Sequence, residues 1–181
     1  MSKSVIASLK PYFYYLVGEG IKKTEVRKSE PKADDWNRET YFYMSKDEKS
    51  FAKIPKEYQD KYRKHFGKVG LKFVCDRIQE ITYTQIYNFG RYKNVCELET
   101  RLDFYALDDY LKQKNGFGWH ISDLKIYDKP KELSEFRLPC PYGDLPCGVC
   151  EYVGVNSTGF VCDNKITKAP QSWGYCEELE K

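Results

Sequence analysis

The chain has 181 residues, 41% of them hydrophobic and 16% aromatic, so it can fold around one core without a metal or a disulfide. Its 30 lysines and arginines against 27 aspartates and glutamates give a net charge of +3, which excludes the single-sign surface of a strong duplex binder. No apolar run reaches the length of about 20 residues that a membrane helix needs, and the N-terminal MSKSVIASLK lacks the apolar segment of a signal peptide. We therefore expect a cytoplasmic protein with no membrane association, whose cysteines are reduced.

The start of the chain predicts a strand, a helix and a second strand in that order. Val5 to Leu9 is a short apolar run. Pro11 suits the first turn of a helix, and Gly18 and Gly20 would end that helix. The segment Lys23 to Lys28 is short and contains β-branched residues, which favours a strand after the glycine turn.

The rest of the chain predicts more strands than helices. Strands are expected over Thr40 to Met44, Gly70 to Ile78, Ile81 to Phe89 (as a strand or an extended loop) and Trp119 to Tyr127. Helices are expected over Pro55 to Phe66 and Leu107 to Lys114, the second closed by Gly116 and Gly118, with a helical turn after Pro130. After residue 137 proline, glycine and cysteine become frequent, which predicts a first domain of residues 1–137 with a loop-rich extension, 138–181, packed on it.

Four residues near the start form the pattern G-x-K-x-x-E-x-R: Gly20, Lys22, Glu25 and Arg27. On a strand the side chains of Glu25 and Arg27 point to the same face, and Lys22 at the turn can reach over it. The two cations could hold a phosphate while the carboxylate accepts a hydrogen bond from a base or orients Arg27. Replacing both cations by alanine should then weaken ligand binding and leave the melting temperature nearly unchanged. The alternative is a set of exposed charges on an edge strand, because surface ion pairs are weak.

The motif follows the strand and helix of SVIASLKPYFYYLVGEG, and this arrangement resembles the ASCH domain family, a branch of the PUA-like superfamily with the signature G-x-K-x-x-E-x-R. The resemblance extends to GLKFVCDRI and WHISDLKIYDKPKEL, is similar to phage and bacterial members, and covers most of residues 1–136. It implies an α+β fold, a small PUA-like β-barrel flanked by helices, with the motif at the floor of a cleft. It also implies that Gly20, Lys22, Glu25 and Arg27 bind RNA or a nucleotide.

The resemblance leaves an enzymatic alternative open. Some ASCH-like proteins hydrolyse acetylated cytidine or degrade RNA, and in the amidohydrolases the lysine that matches Lys22 is catalytic. A threonine stands there at the position of Glu25, whereas Thr24 of this chain should face the other side of the strand. His65 is expected on a helix surface and His120 in the core, although cleavage of a phosphodiester usually needs histidine, paired carboxylates or a metal. RNA binding is therefore favoured over a hydrolase with Lys22 catalytic, and an interaction with a protein partner is the third possibility.

Aromatic and basic side chains offer further candidates for RNA contacts. Trp36, in the polar loop SEPKADDWN, has little apolar company and is the best candidate to stack on a base. Trp173 is expected to dock the C-terminal segment on the barrel, and the resemblance implies that Gln171 and Ser172 could line the site with it. The basic segment Lys53 to Lys68 could follow a nucleic-acid backbone or be an ordinary solvated helix surface.

The cysteines of the extension have the spacing C-x6-C-x2-C-x11-C. They are Cys140, Cys147, Cys150 and Cys162. The two-residue gap in the middle lets two thiolates reach one tetrahedral ion, which the outer two can complete, so the spacing predicts a structural zinc that orders the segment. The alternative is four unpaired thiols. Cys176 could replace an outer ligand, and Cys75, on the apolar side of its strand, is expected to be buried.

Overall fold

A computed structural model describes residues 4–32, 38–86, 89–93, 99–139, 153–156, 159–162 and 164–178, with the backbone alone at 86, 89, 153–156, 159–162 and 178. The helices in these ranges are α1 Pro11–Gly18, α2 Glu48–Phe51, α3 Lys56–Arg63 and α4 Phe104–Leu111. The strands are β1 Ser4–Leu9, β2 Thr24–Arg27, β3 Arg38–Met44, β4 Val69–Cys75, β5 Ile78–Ile81, β6 Tyr83–Ile86, β7 Phe89–Tyr92, β8 Gly116–His120, β9 Ser122–Lys131, β10 Phe136–Arg137, β11 Val153–Asn156, β12 Gly159–Cys162 and β13 Trp173–Glu178. None of these helices has the length and apolar character needed to cross a membrane.

Two sheets organise the fold. Six strands form a mixed sheet in the order β10-β13-β1-β3-β4-β9, in which β1 and β3 run parallel and the other neighbours are antiparallel. A second, antiparallel sheet has the order β2-β8-β5, and the pairs β6–β7 and β11–β12 form separate hairpins. The predicted α+β class is therefore confirmed.

Both faces of the six-stranded sheet are buried. Val5 of β1 faces the main core cluster, to which α1, α2 and Trp119 of β8 also contribute. Its neighbour Ile6 points to the opposite face, into a second cluster with Tyr41 and Cys176. A strand covered on both sides reads as a continuous apolar run, which is why SVIASL shows little alternation.

The predicted start of the chain is confirmed. β1, α1 and β2 follow one another as expected, with Pro11 in the first turn of α1. Gly20 after the helix has a φ of +68°, a backbone conformation that side chains larger than hydrogen disfavour, so this turn needs a glycine. The turn directs the following residues, including Lys22, into β2.

Two predicted strands are each divided between the two sheets. The segment Gly70 to Ile78 changes sheet after Cys75, where β4 ends, and Ile78 begins β5. The segment Trp119 to Tyr127 changes sheet at Ile121, whose backbone N–H donates to Lys23 O. Breaks of one or two residues are too short to interrupt a hydrophobic pattern, so the sequence predicted single strands.

The predicted end of the second helix was wrong. Gly116 and Gly118 lie in β8, and α4 ends earlier, at Leu111, because the next two residues, Lys112 and Gln113, both have positive φ. Glycine at 116 is needed for close packing, because a Cβ there would lie 2.7 Å from a methyl carbon of Leu111. The glycines therefore bring β8 against α4, a role that a helix stop signal does not reveal.

The end of the chain is part of the main sheet. β13 lies between β10 and β1, and its register with β1 runs from Ser4↔Cys176 to Ala7↔Trp173. Residues 173–178 of the predicted loop-rich extension supply an inner strand of this sheet, a pairing that the composition did not indicate. The reason is that β13 is a single short strand whose partner lies at the other end of the chain, and composition does not report such pairing.

His65 is buried, contrary to the predicted helix-surface position. It is 1% exposed, and its Nδ1 lies 3.1 Å from the hydroxyl of Tyr14. Gly70 makes room for the imidazole, since a Cβ at that position would overlap it. Burial is the main reason that the pKa of His65 falls from its ordinary 6.5 to about 4.

This buried histidine predicts a loss of stability in mild acid. Below pH 6.5 the unfolded chain binds a proton at His65 that the folded protein does not take up until about pH 4, so the free energy of unfolding falls across this window. The loss from this one group should be about 2 kcal/mol by pH 5. The free energy of unfolding, measured with urea, should fall towards pH 5 in both the wild type and a His65→Gln variant. We expect the fall in the wild type to be larger by about this amount. Equal decreases in the two proteins would contradict the prediction.

Candidate functional site

The three charged motif side chains come together beside an edge of the three-stranded sheet: Glu25 and Arg27 lie on β2, and Lys22 lies just before it. Glu25 Oε1 lies 3.1 Å from Arg27 Nη2, and Glu25 Oε2 lies 3.4 Å from Lys22 Nζ. Lys22, Glu25 and Arg27 are 1%, 7% and 4% exposed. The alternative of exposed charges on an edge strand is therefore wrong. One carboxylate is shared between two cations in a site largely shielded from water.

Lys22 is fixed by contacts from distant parts of the chain. Its Nζ donates to the carbonyl oxygen of Thr100 at 2.6 Å and lies 5.6 Å from the centroid of the Phe13 ring. Burial lowers the pKa of Lys22, and the Glu25 carboxylate opposes that shift. The ammonium group is therefore held in one place beside the carboxylate.

Arg27 ties two chain segments together. Its Nη1 donates to the carbonyl oxygen of Ser172 and its Nη2 to that of Ser8, both at 2.9 Å. With the Glu25 carboxylate, these contacts use most of the guanidinium. Arg27 therefore acts as a positioning residue for the end of β1 and for the segment before β13, rather than as a cation open to a phosphate.

The segment before β13 is docked through further bonds. Ser8 donates from its hydroxyl to Pro170 O at 2.5 Å and from its backbone N–H to Ser172 O at 3.0 Å. Trp173 Nε1 donates to the hydroxyl of Ser29, and its ring meets Trp119 edge-to-face with centroids 5.6 Å apart. The predicted docking role of Trp173 is confirmed.

A cleft of about 570 Å³ opens above these residues. Its lining consists of Ser8, Leu9, Lys10, Phe13, Lys22, Glu25, Val26, Arg27, Lys28, Ser45, Leu102, Ala106, Asp109, Tyr110 and Gln171. Four of these side chains are basic and two are acidic, so the lining carries two more positive than negative groups. Phe13 and Tyr110 add two aromatic rings. A cleft of this size, charge and composition suits an anionic ligand with a flat ring.

Helix α4 supplies a wall of the cleft that the motif did not predict. Ala106, Asp109 and Tyr110 line the cleft, whereas Leu107 and Leu111 on the opposite face pack on the second sheet. The sequence did predict a helix here. It gave no indication that the polar face of this helix covers a motif some 80 residues earlier in the chain.

Comparison with known proteins bears on the fold. No family model matches the sequence, and no curated protein matches it either. The structure is similar to that of ASCH from Zymomonas mobilis, with a TM-score of 0.53 and 13% identity over 99% of this chain and 100% of that chain. A point mutant of the same Zymomonas protein gives a TM-score of 0.53 and 13% identity, over 96% of this chain and 88% of that one.

The chain has an ASCH domain fold. The predicted α+β architecture is thereby confirmed as a mixed sheet that forms a half-barrel with a few helices. At 13% identity the likeness carries the fold alone. The role of the cleft must be argued from its own residues.

Several predicted site residues of this ASCH-fold protein lie outside the described ranges: Trp36, Cys140, Cys147 and Cys150. Cys162 is described in its backbone only, in β12, where it pairs with Val153 of β11. Among the described side chains, no three histidine, cysteine or acidic residues are grouped as metal ligands. The structural zinc therefore stays a prediction.

The two remaining cysteines with described side chains are free thiols in the core. Cys75 is buried as predicted, in the main cluster. Cys176 is fully buried in the second cluster, and burial raises the pKa of each thiol to about 12. Cys176 therefore packs as a small apolar side chain in the second cluster, and its suggested role as a substitute zinc ligand stays untested.

His120 was wrongly predicted to pack in the core. Its neighbour Trp119 takes that position, and His120 on the other side of β8 is half-buried and donates from Nδ1 to Asp76 Oδ1 at 2.6 Å. Neither His120 nor His65 lines the cleft. Among the described lining residues, an acid–base mechanism in the cleft would therefore have to use a lysine, Glu25, Asp109 or Tyr110.

Most basic side chains of the predicted basic segment have partners on the protein. Lys61 pairs with Glu19 at 2.6 Å, and Arg63 pairs with Glu48 at 2.9 Å. Lys68 pairs with Glu132 at 2.8 Å, and Lys64 donates to the carbonyl oxygen of Asp128 at 3.0 Å, so four of the six lysines and arginines have a partner. These contacts favour the ordinary helix surface over a track for a nucleic-acid backbone.

Proposed function

We propose that this ASCH-fold protein is a cytoplasmic RNA-binding or nucleotide-binding protein whose ligand lies in the cleft above Glu25. The observation that carries the proposal is the buried group of Lys22, Glu25 and Arg27 at the floor of a basic cleft with two aromatic walls. Burying three charged side chains is unfavourable unless they are paired, and such an arrangement in a cleft is typical of a functional site.

Different residues of the cleft would contact the phosphate and the base of the ligand. Lys10 and Lys28 at the cleft wall attract the phosphate, and Lys22 adds a fixed positive charge at the floor. The rings of Phe13 and Tyr110 offer faces on which a base can stack. Glu25 accepts a hydrogen bond from a base amino group, and Gln171 at the cleft wall can donate and accept at once.

A hydrolase is the second candidate, because burial lowers the pKa of Lys22 and so makes a neutral amine, which can act as a base, easier to form. The position of Thr24 counts against the amidohydrolase pattern, since it is buried and alternates with Glu25 along β2. Incubation with RNA and with acetylated cytidine, with and without a divalent metal, separates the two functions. Turnover that disappears in a Lys22 variant would favour the hydrolase.

Replacing Lys22 by methionine should weaken binding of a short single-stranded RNA about tenfold or more. Methionine keeps the length of the side chain and removes the ammonium charge from the cleft floor, and a loss of about 1.4 kcal/mol in binding free energy corresponds to a tenfold weaker affinity. Fluorescence anisotropy at a fixed low salt concentration measures the loss, and circular dichroism confirms that the variant is folded.

Lys23→Met is the matched control for this experiment. Lys23 is adjacent in sequence, but its side chain is 54% exposed, pairs with Glu99 at 3.1 Å and does not line the cleft. We expect it to bind RNA with nearly the affinity of the wild type. If Lys22→Met and Lys23→Met have the same affinity, the cleft is not the RNA site.

A further inference from the structure

We infer that residues 99–102 form a strap that closes over Lys22, and that this strap must open before a ligand in the cleft can contact the ammonium group. The inference rests on the proposed RNA binding and adds a conformational step to it. The strap consists of Glu99, Thr100, Arg101 and Leu102, which lie shortly before helix α4.

The ammonium group of Lys22 is enclosed in the structure as it stands. Lys22 lines the cleft, yet it is 1% exposed, and Glu25 beside it is 7% exposed. A lysine ammonium has three donors, and a phosphate can accept from one of them only where the group has an open side. One of the groups around Lys22 therefore has to move aside before a ligand contacts it.

Among the described residues, three groups lie around this ammonium: the Glu25 carboxylate, the Phe13 ring and the Thr100 carbonyl oxygen. Glu25 is on β2 and its carboxylate also pairs with Arg27, and Phe13 packs from α1 on the main core cluster. Thr100 belongs to no helix or strand. The strap is therefore the part of the enclosure that can move with the least loss of structure.

Most contacts that hold the strap closed are exposed. Arg101 donates from Nε to the carbonyl oxygen of Ile21 at 2.9 Å. The backbone N–H of Lys23 donates to the carbonyl oxygen of Glu99 at 3.3 Å, and the two side chains pair at 3.1 Å. Glu99, Arg101 and Lys23 are all exposed, so water can replace these contacts when the strap moves.

The backbone of the strap is strained on both sides of Thr100. Glu99 has a φ of +45° and Arg101 a φ of +57°. Neither residue is a glycine, and residues with a Cβ disfavour this left-handed conformation. Strain of this kind is common in ligand clamps and switch segments. Opening can relieve it, which lowers the cost of breaking the contacts with residues 21–23.

The strap borders the cleft and is fixed at its far end. Leu102 lines the cleft, and the next residue, Asp103, accepts the backbone N–H of Ala106 at 2.8 Å at the start of α4. Residues 99–101 can therefore swing away while α4 stays in place. The phosphate would then replace the Thr100 carbonyl oxygen as an acceptor for Lys22, and a hydrogen bond between two charged groups is the stronger one.

Amide hydrogen exchange tests the opening without a ligand. The Lys23 N–H donates to the strap, at Glu99 O, whereas the Ile121 N–H donates to the carbonyl oxygen of the same Lys23. We expect the protection factor of the Lys23 amide to be at least tenfold lower than that of the Ile121 amide, because opening exposes only the first. Equal protection of the two amides would mean that the strap does not open separately, and would overturn the inference.

A disulfide across the strap tests whether binding needs the opening. Lys23→Cys combined with Glu99→Cys puts two thiols on residues whose backbones are joined by a hydrogen bond. The oxidised double variant should bind an eight-nucleotide single-stranded uridine RNA at least tenfold more weakly than the same protein after reduction. The wild type under both conditions is the control for the native cysteines, and mass spectrometry confirms the cross-link.

The outcomes separate this inference from the proposed function. If the oxidised and reduced double variants bind the RNA equally while Lys22→Met binds it weakly, the cleft is the RNA site and the strap does not control it. If the wild type binds no RNA, the proposed function is wrong, and the role of the strap in binding is rejected with it, whatever the exchange rate of the Lys23 amide.

Discussion

Replacing Arg27 with alanine is expected to destabilise the protein by about 3–5 kcal/mol. The guanidinium is 4% exposed and contacts Glu25 and the carbonyl oxygens of Ser8 and Ser172. Its removal leaves two carbonyl groups without this donor and the buried Glu25 carboxylate with Lys22 as its remaining cation. Leaving buried groups without a partner lowers the free energy of unfolding, because water cannot replace the missing donor.

Thermal unfolding measures the effect. For a chain of this length, a loss of that size corresponds to a melting temperature lower by roughly 10 °C. Arg63→Ala is the matched control, because Arg63 also pairs with a carboxylate, that of Glu48, but its side chain is 52% exposed. Exposed pairs contribute about 0–1 kcal/mol, so the control should melt close to the wild type.

This prediction reverses the expectation drawn from the motif alone. A solvent-facing arginine that binds a phosphate could be replaced with little change in the melting temperature. If Arg27→Ala and Arg63→Ala melt within a degree or two of each other, the contacts of Arg27 do not stabilise the fold. The interpretation of Arg27 as a phosphate-binding residue would then be favoured.

Replacing Glu25 with glutamine is expected to destabilise the protein by about 3 kcal/mol. Glutamine has nearly the same shape but removes the negative charge that Lys22 and Arg27 share at 3.4 and 3.1 Å. Two buried cations then face each other without a carboxylate. Glu39→Gln is the control, because Glu39 pairs with Lys72 at 2.6 Å while half-exposed, and its loss should have a small effect.

The effect of Glu25→Gln should depend on pH in a defined direction. Burial lowers the pKa of Lys22, and Glu25 opposes this shift, so in the variant the pKa of Lys22 falls further. A lysine with a lowered pKa in the folded protein is destabilising when charged, and the penalty disappears as the pH rises through its folded pKa towards the ordinary value of about 10.4. Urea unfolding at neutral and at alkaline pH should therefore show a smaller deficit at alkaline pH. A deficit that is constant or grows with pH would contradict the assignment.

The sequence was most informative where structure depends on neighbouring residues. Pro11 and Gly20 act within one turn of the chain, so the strand, helix and turn of the N-terminal unit could be predicted. The same-face placement of Glu25 and Arg27 follows from the alternation of side chains along any strand. The histidines were misplaced because neither a helical pattern nor a strand pattern tells which neighbour covers a face. His65 is covered by Tyr14, 51 residues away.

The motif, its place after a glycine turn and the α+β class could be predicted from the sequence alone. The contacts that the motif side chains make depend on the tertiary structure. It places the Thr100 carbonyl on Lys22 across 78 residues and the Ser172 carbonyl on Arg27 across 145 residues, and it lays α4 along the cleft. Periodicity and spacing report which side chains share a face, because they reflect backbone geometry over a few residues. They carry no information on the distant segment that covers that face. Here that segment contains Ser172, whose carbonyl oxygen accepts a hydrogen bond from Arg27 and so makes this side chain a structural contact.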